Sequence, residues 1–179
     1  MAVDPARPFK PVKIAVLTVS DTRDMNSDTS GALLVERVQS AGHQLTTRAI
    51  EKDDVGAICS RINTWIDEQL ADAIVITGGT GLTGRDVTPE ALDRLMAEHG
   101  GKQIPGFGEL FRWISYASIG TSTIQSRACA VLVRGVYIFA LPGSNGAVKD
   151  GWDKILAEQF DSRYGPCNFV ELMPRLREV

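Results

Sequence analysis

The sequence contains little of what disulfide-rich, membrane-spanning or nucleic-acid-binding proteins need. Its 179 residues include only three cysteines, which lie far apart and suggest neither a disulfide framework nor a Cys-x-x-Cys metal site. The formal net charge of −3 gives no support to a nucleic-acid surface, which normally carries a basic excess. No apolar run approaches the roughly 20 residues that span a bilayer. We therefore expect a cytoplasmic protein with neither a nucleic-acid nor a membrane partner.

Histidine is scarce as well, and this limits the chemistry. His43 and His99 lie far apart, without other metal-binding residues beside them. They predict neither a zinc site built by the protein nor a Ser-His or Cys-His catalytic pair. The N-terminus has three prolines and no apolar segment of a signal peptide. We expect residues 1–11 to be a flexible arm and residues 12–179 to form one domain.

Buried-type apolar runs alternate with amphipathic segments along the chain. Strands are predicted at residues 12–20, 43–51 and 71–79, and a tight hairpin with its turn at Arg134-Gly135 follows later. This order predicts a three-layer α/β/α sandwich with a mostly parallel central sheet and a C-terminal antiparallel hairpin. Helices are predicted to start at Thr29 or Ser30, Asp53 or Asp54, Thr88, Glu109 and Ser144.

Polar or glycine-rich groups follow four of the predicted strands. In open α/β sheets, ligands bind at the carboxyl ends of the strands. If neighbouring strands line up, the four groups converge on one edge of the sheet, which predicts a binding site there. The groups are Ser20-Asp21, residues 51–54, residues 77–81 and residues 141–144.

The segment TGGTGLTGRDVTPEAL (Thr77–Leu92) matches two phosphate-binding patterns incompletely. Gly79, Gly81 and Gly84 fit the GxGxxG spacing, but they follow the third strand instead of the first. Gly79 and Gly84 also fit P-loop spacing, but Arg85-Asp86 replaces the required lysine and hydroxyl residue. Neither a dinucleotide fold nor a P-loop is therefore favoured.

A glycine-rich turn offers backbone amides to an anion, whereas the carboxylate of Asp86 would repel one. A Mg²⁺ ion between Asp86 and a bound phosphate would resolve this conflict. The alternative is that Asp86 caps the following helix and that the glycines only make a tight turn. The pattern by itself leaves both interpretations open.

Five motifs in one order make the sequence similar to the MoaB/MogA family of molybdenum cofactor biosynthesis proteins. The resemblance covers residues 13–169. It implies a molybdopterin-binding fold that binds molybdopterin, a pterin dithiolene with a terminal phosphate. It also implies that ATP and Mg²⁺ adenylylate this phosphate, with release of pyrophosphate, before a separate protein inserts the metal. The motifs are TVSDTR (18–23), VITGGTGLTGRDVTPEAL (75–92), PGFGELFR (105–112), GTSTIQSRACA (120–130) and ALPGSNGAVKDGW (140–152).

The resemblance assigns roles to individual residues. Asp86 is implied to be catalytic, with a tentative Mg²⁺ contact, and Asp53 is the second catalytic aspartate unless the adjacent Asp54 is the true match. Glu109, Ser126 and Arg127 are second-tier candidates, and Arg127 could pair with a phosphate or form a surface ion pair. The residues implied to bind molybdopterin or its phosphate are Ser20, Asp21, Gly78, Gly79, Thr80, Gly81, Pro142, Gly143 and Ser144.

One departure from the family pattern leaves the activity open. Many adenylylating members have Pro-Gly-x-Pro after the last strand, whereas this chain has Asn145 at the last position. This places the chain on the MoaB side of the family, where a non-catalytic molybdopterin-binding or carrier role is the alternative. The family also implies a homo-oligomer, either a trimer or a dimer of trimers. The aromatic residues Phe107, Phe111, Trp113 and Tyr116 are predicted to lie at a subunit contact.

Overall fold

The computed structural model describes residues 3–176 and 178, and these form a three-layer α/β/α sandwich, as predicted. The middle layer is a six-stranded sheet of β1 (Lys13–Val19), β2 (Gln44–Glu51), β3 (Ala73–Thr77), β4 (Lys102–Gln103), β5 (Cys129–Val133) and β6 (Val136–Leu141). Their spatial order is β2-β1-β3-β6-β5-β4. Strands β2, β1, β3 and β6 are parallel to one another, and β5 is antiparallel to its neighbours β6 and β4.

The helices cover both faces of the sheet. Within the described residues, none of them is both long and apolar enough to cross a membrane. A π-helical turn at Trp152–Leu156 interrupts the helical segment that follows β6. The helices are α1 (Thr29–Ser40), α2 (Val55–Asp67), α3 (Thr88–His99), α4 (Pro105–Ile119), α5 (Asn145–Gly151), α6 (Ala157–Gln159) and α7 (Phe169–Leu172), with short 3₁₀ segments at Gly120–Gln125 and Met173–Arg175.

Alternation along the central strands divides the core into two halves. Ile14 and Val16 of β1 face the half that is covered by α1, α4 and α5. Ala15 and Leu17 face the half that is covered by α2 and α3. Because β1, β3 and β6 are covered on both faces, they are almost entirely apolar, as expected for interior parallel strands.

The start of α1 differs from the sequence-based expectation, the start of α2 matches one of its two predicted alternatives, and α3 begins at Thr88 as predicted. Asp28 caps α1 by accepting a hydrogen bond from the Gly31 amide, so the cap precedes Thr29 and Ser30. Asp54 caps α2, which settles the choice between the adjacent aspartates for this role. α3 has no side-chain cap, because Asp86 turns back into its own loop.

The segment after α3 also differs from the prediction. A short strand, β4, and the first turn of α4 occupy residues for which no regular structure was expected. Pro105 at the first helical position explains the early start of α4, because its fixed φ suits a helix and its missing N–H is not needed there. The hairpin turn lies at Arg134 and Gly135, both with positive φ, as predicted.

The two ends of the described chain lie against each other. The Asp4 amide donates to the Arg163 carbonyl at 3.0 Å, and the Lys10 amide donates to Ser162 Oγ at 2.9 Å. The Phe9 ring packs 5.3 Å from the His43 ring. These contacts place residues 3–10 against the domain. The flexibility of the N-terminal arm stays a prediction.

Asp28 is the most completely buried carboxylate near the sheet edge. Its Oδ2 accepts hydrogen bonds from Thr18 Oγ1 at 2.6 Å and from Arg48 Nη2 at 2.8 Å. Burial opposes its ionisation, but the hydrogen bonds from Thr18, Arg48 and the Gly31 amide outweigh burial and lower the pKa of Asp28. Asp28 thus holds β1, β2 and the start of α1 together.

Asp28→Asn is expected to destabilise the fold by about 3–5 kcal/mol, because it leaves the Arg48 charge without its buried partner. Asp67→Asn, which breaks an exposed pair with Arg134, is the matched control and should cost about 0–1 kcal/mol. Urea denaturation at pH 7 measures both values.

The effect of Asp28→Asn should also depend on pH. Because the folded pKa of Asp28 is lowered, its stabilisation is present above the ordinary carboxyl pKa of about 4 and is lost as pH falls through the folded value. The difference between wild type and variant should therefore shrink in acid. A difference that stays constant from pH 7 to pH 2 would contradict this account.

Candidate functional site

The four polar strand ends meet at one edge of the sheet, as their sequence pattern predicts. A cavity of about 410 Å³ opens there between the loops after β1, β2, β3 and β6. Ser20, Asp53 and Asp86 reach it from three different loops. The glycine turn after β3 forms its floor. The complete lining is Val19, Ser20, Thr22, Arg23, Asp53, Gly78, Gly79, Thr80, Gly81, Asp86, Pro142 and Gly143.

The floor of this cavity requires glycine. Gly78 has φ +107°, and a Cβ there would overlap the Val19 carbonyl oxygen. The carbonyls of Gly78 and Gly79 point away from the cavity, because they accept hydrogen bonds from Thr88 Oγ1 and the Thr88 amide, each at 2.9 Å. Across residues 3–176 and 178, the amides of Gly79 and Thr80 donate to no protein acceptor. Unpaired backbone amides in a glycine turn form a concavity that suits an anion such as phosphate.

Three carboxylates surround the glycine turn. Burial, followed by the charges of Asp21 and Asp86, raises the pKa of Asp53. Burial also opposes ionisation of Asp86, but hydrogen bonds from Thr83 and from the Gly81 amide outweigh it and lower the pKa of Asp86. Asp86 Oδ2 accepts from Thr83 N at 2.9 Å and from Thr83 Oγ1 at 2.6 Å. The negative potential of the three groups favours a cation beside the phosphate position.

Asp21 lies at the rim and not in the cavity lining. Its carboxylate accepts a bidentate pair of hydrogen bonds from Arg85 Nε and Nη2, both at 2.8 Å. It also accepts a hydrogen bond from the Asp53 amide at 3.3 Å. Arg85 therefore balances part of the acidic charge by linking the loop after β3 to the loop after β1.

The residues suit a Mg²⁺ ion that arrives with a nucleotide better than a resident ion. Within the described part of the chain, no three His, Cys, Asp or Glu side chains are grouped to hold a metal. Mg²⁺ usually takes one or two carboxylates and completes its shell with phosphate oxygens and water. Asp53 and Asp86 both line the cavity and supply oxygen donors of this kind.

Arg127 holds the glycine-rich loop from outside the cavity. Its Nε donates to the Gly81 carbonyl at 2.7 Å, and its Nη2 donates to the Asp86 carbonyl at 2.6 Å. Its Nη1 pairs with Glu90. The guanidinium is therefore occupied by the loop and by α3, which gives Arg127 a positioning role. Of the two predicted alternatives, the ion pair is formed here, with Glu90, and a contact with phosphate stays a prediction.

A second and larger cavity lies beside the first, between α4 and α5. Its volume is about 630 Å³, and it shares Thr80, Gly81 and Pro142 with the first cavity. Thr80 is buried, and among the residues described its hydroxyl has no hydrogen-bond partner. A buried hydroxyl without a partner is costly, and here it lies at the junction of the two cavities. The junction is therefore suited to a polar ligand atom.

Three other residues that were predicted to belong to the site do not line the phosphate cavity. Ser144 lines the larger cavity, and its side chain caps α5 by accepting from the Ala147 amide at 3.1 Å. Ser126 also lines the larger cavity. Glu109 lies in a separate depression between α3 and α4, away from the phosphate floor. The roles of all these residues stay predictions.

Sequence reasoning missed Arg23. Its Nη2 donates to the Gly143 carbonyl at 2.9 Å, and its Nη1 donates to Ser30 Oγ at 2.7 Å. It thereby joins the loop after β1 to the loop after β6 and places a positive charge in the cavity wall. The available signal was its position at the end of the TVSDTR motif, directly after the first strand.

Comparison with known proteins agrees with this architecture. Residues 15–162 match a family described as "Probable molybdopterin binding domain". Molybdenum cofactor biosynthesis protein B of Escherichia coli (strain K12) is 45% identical over 161 residues, which cover 90% of this chain and 92% of that protein.

Two solved structures are similar over nearly the whole chain. A crystal structure of a molybdenum cofactor biosynthesis protein B has a TM-score of 0.84 at 36% identity, and covers 97% of this chain and 100% of that one. The tungsten cofactor synthesizing protein MoaB from Pyrococcus furiosus has a TM-score of 0.76 at 33% identity, with 94% and 99% coverage.

The fold is that of a three-layer α/β protein with its candidate site at the carboxyl edge of a parallel sheet. By sequence and by structure, the chain belongs to the molybdopterin-binding domain family and, within it, to the MoaB proteins. The family predicted from the five sequence motifs is thus confirmed.

Arg127→Lys is expected to loosen the loop from Gly81 to Asp86, because an ammonium group cannot hold two carbonyls and Glu90 in the fork geometry of arginine. The free energy that stabilises the closed loop should fall by about 1–2 kcal/mol. Amide hydrogen exchange should become faster in that loop alone. Arg112→Lys is the control, since Arg112 also bonds backbone carbonyls, those of Ser126 and Ala128, outside the loop. Equal exchange rates in wild type and Arg127→Lys would exclude this role.

Proposed function

We propose that the protein acts in molybdenum cofactor biosynthesis by binding molybdopterin and adenylylating its terminal phosphate with ATP and Mg²⁺. The junction of the two cavities carries this proposal. Unpaired amides of the glycine turn and the unpartnered Thr80 hydroxyl lie between a polar cavity with carboxylates and a larger cavity between two helices. A phosphorylated ligand with a large ring system matches this arrangement. The volume of the larger cavity, about 630 Å³, lies in the usual range for ligand pockets.

The reaction needs no nucleophilic side chain. The oxygen of the molybdopterin phosphate attacks the α-phosphorus of ATP, the bond to the pyrophosphate oxygen breaks, and pyrophosphate leaves. Such transfers depend mainly on positioning and on neutralisation of charge. The glycine-turn amides would bind phosphate oxygens, and Asp53 and Asp86 would hold Mg²⁺, which would offset phosphate charge.

The alternative is a MoaB protein that binds molybdopterin without adenylylating it and delivers it within the pathway. The same larger cavity and glycine turn would serve that role. In both cases molybdopterin, adenylylated or unchanged, would pass to the molybdenum-insertion protein of the pathway. Purified protein incubated with molybdopterin, ATP and Mg²⁺ separates the two functions. Adenylylated molybdopterin and pyrophosphate in equal amounts support the enzyme, whereas binding without either product supports the carrier.

Asp86→Asn should lower adenylylation at least about 100-fold, because a neutral amide cannot balance Mg²⁺ beside the phosphates. Pterin binding and melting temperature should change little, since the amide oxygen can still accept from Thr83. Thr83→Val is the control, because it removes the hydroxyl contact to Asp86 and keeps the carboxylate. If Thr83→Val lost as much activity as Asp86→Asn, Asp86 would only shape the loop.

We also propose that the protein is a homo-oligomer, either a trimer or a dimer of trimers. Two of the four aromatic residues that were predicted to lie at its contacts are not on the surface. Phe107 and Phe111 are buried in the core, since they lie on the inner face of α4. The exposed apolar side chains near them instead are Leu110, Trp113, Tyr116, Ile119 and Ile124. An exposed apolar surface of this kind often marks a subunit contact.

Light scattering should give the mass of three or six chains at micromolar concentration. Trp113→Glu should shift the mass towards the monomer, because it places a charge in the proposed contact. Met25→Glu changes a similarly exposed apolar residue on a different loop and should leave the mass unchanged. A monomer mass for the wild type over a wide concentration range would refute the oligomer.

A further inference from the structure

Asp150 is a charged side chain that lines the larger cavity and has no part in the proposed phosphate chemistry. Asp150 lies on α5, and its side chain is only 10% exposed. Lys154 Nζ donates to its Oδ1 at 2.6 Å. The hydroxyls of Ser115 and Ser118 on α4 approach its Oδ2, each at 3.4 Å. Asp150 therefore has one close charged partner and two distant hydroxyl partners.

The two carboxylate oxygens of Asp150 are unequally satisfied. Burial of a carboxylate is costly unless its oxygens are paired with donors. Hydroxyl donors normally lie about 2.5–3.0 Å from their acceptor, so contacts at 3.4 Å are weak. Oδ2 can thus accept a shorter hydrogen bond from a ligand in the cavity. Asp150 as a whole is buried, which is unusual for an aspartate.

The ligand chemistry that suits such a carboxylate is an edge with two adjacent N–H donors. The pyrimidinone ring of a pterin has this edge, since its N3–H and its 2-amino group lie side by side. Adenine has no such pair, because its 6-amino group lies between ring nitrogens that are acceptors. A carboxylate that faces two parallel donors forms a strong, orientation-specific pair.

We propose that Asp150 recognises the N3–H and 2-amino edge of the pterin ring in the α4–α5 cavity and determines the specificity of that cavity. The inference rests on the proposed function, in which this cavity holds molybdopterin. With the ring oriented by Asp150, the substituent that bears the phosphate points to the cavity junction at Thr80 and Gly81. Asp150 would thus orient the substrate from the end opposite to the reacting phosphate.

Two fluorescent ligands test this inference, 6-hydroxymethylpterin and 6-hydroxymethyllumazine. They differ at position 2, where an amino group in the first is an oxo group in the second, and the second therefore carries a hydrogen on N1. Wild type should bind the pterin roughly 10- to 100-fold more tightly, since the lumazine places an acceptor against the carboxylate. Asp150→Asn should reduce this preference to within about threefold, because its amide presents one donor and one acceptor. Titration of ligand fluorescence measures all of these affinities.

Asp153→Asn is the matched control. Asp153 lines the same cavity, but its carboxylate is paired with Arg37 at the surface. This variant should keep the full preference for the pterin. If Asp150→Asn does not fold, 3-methylpterin provides the same test on wild type. Its methyl group removes the N3–H donor and should weaken binding roughly tenfold relative to pterin.

The outcomes separate the inference from the proposed function. Failure of wild type to bind either ligand or molybdopterin would overturn the proposed function and, with it, the role of Asp150. Tight pterin binding with no preference over lumazine would overturn only the role of Asp150. A preference that survives in Asp150→Asn, or that is lost equally in Asp153→Asn, would do the same.

Discussion

The candidate site depends on one buried ionic interaction, that of Asp28 with Arg48. It joins the second strand to the start of the first helix, and Thr18 on the first strand donates to the same carboxylate. Ser30 Oγ, which also donates to Asp28, accepts from Arg23. Arg23 in turn reaches the Gly143 carbonyl after the last strand. A continuous polar network thus links two of the loops that form the phosphate cavity, those after β1 and β6, to a carboxylate in the interior.

The loop after the third strand contributes to two opposing electrostatic features of the cavity, and its own contacts balance them only in part. Its amides are suited to an anion, whereas Asp53 and Asp86 make the same cavity negative. Arg85 and Arg127 do not line this cavity, since Arg85 pairs with Asp21 and Arg127 pairs with Glu90. Arg23 does line the cavity, but its guanidinium already donates to Ser30 Oγ and to the Gly143 carbonyl. A bound phosphate therefore needs a further positive charge between it and the carboxylates. Under the proposed function, this need is a physical reason for the nucleotide to enter together with its Mg²⁺ ion.

Much of the fold and part of the site could be predicted from the sequence. The apolar runs predicted the buried strands, and the polar strand ends predicted the edge at which the loops converge. The orientation of the aromatic residues of α4 was harder to predict, because spacing alone does not show that Phe107 and Phe111 face inward while Trp113 faces outward. Asp150 could not be recognised either, since an acidic residue on an amphipathic helix is usually exposed. Its burial results from the approach of α4, which lies more than 30 residues earlier in the chain.

The departure at Asn145 has a local structural explanation that does not involve the cavities. Asn145 is the first residue of α5, a position at which proline is favoured because its N–H is not needed. The cap itself is supplied by Ser144, so the helix begins at the same place with either residue. The Asn145 side chain accepts from Thr29 Oγ1 at 3.2 Å and lines neither the phosphate cavity nor the α4–α5 cavity. Replacement of proline by asparagine therefore removes no group from the proposed site. Asp53, Asp86 and the glycine-turn amides, to which the proposed adenylylation assigns roles, are all present despite this departure.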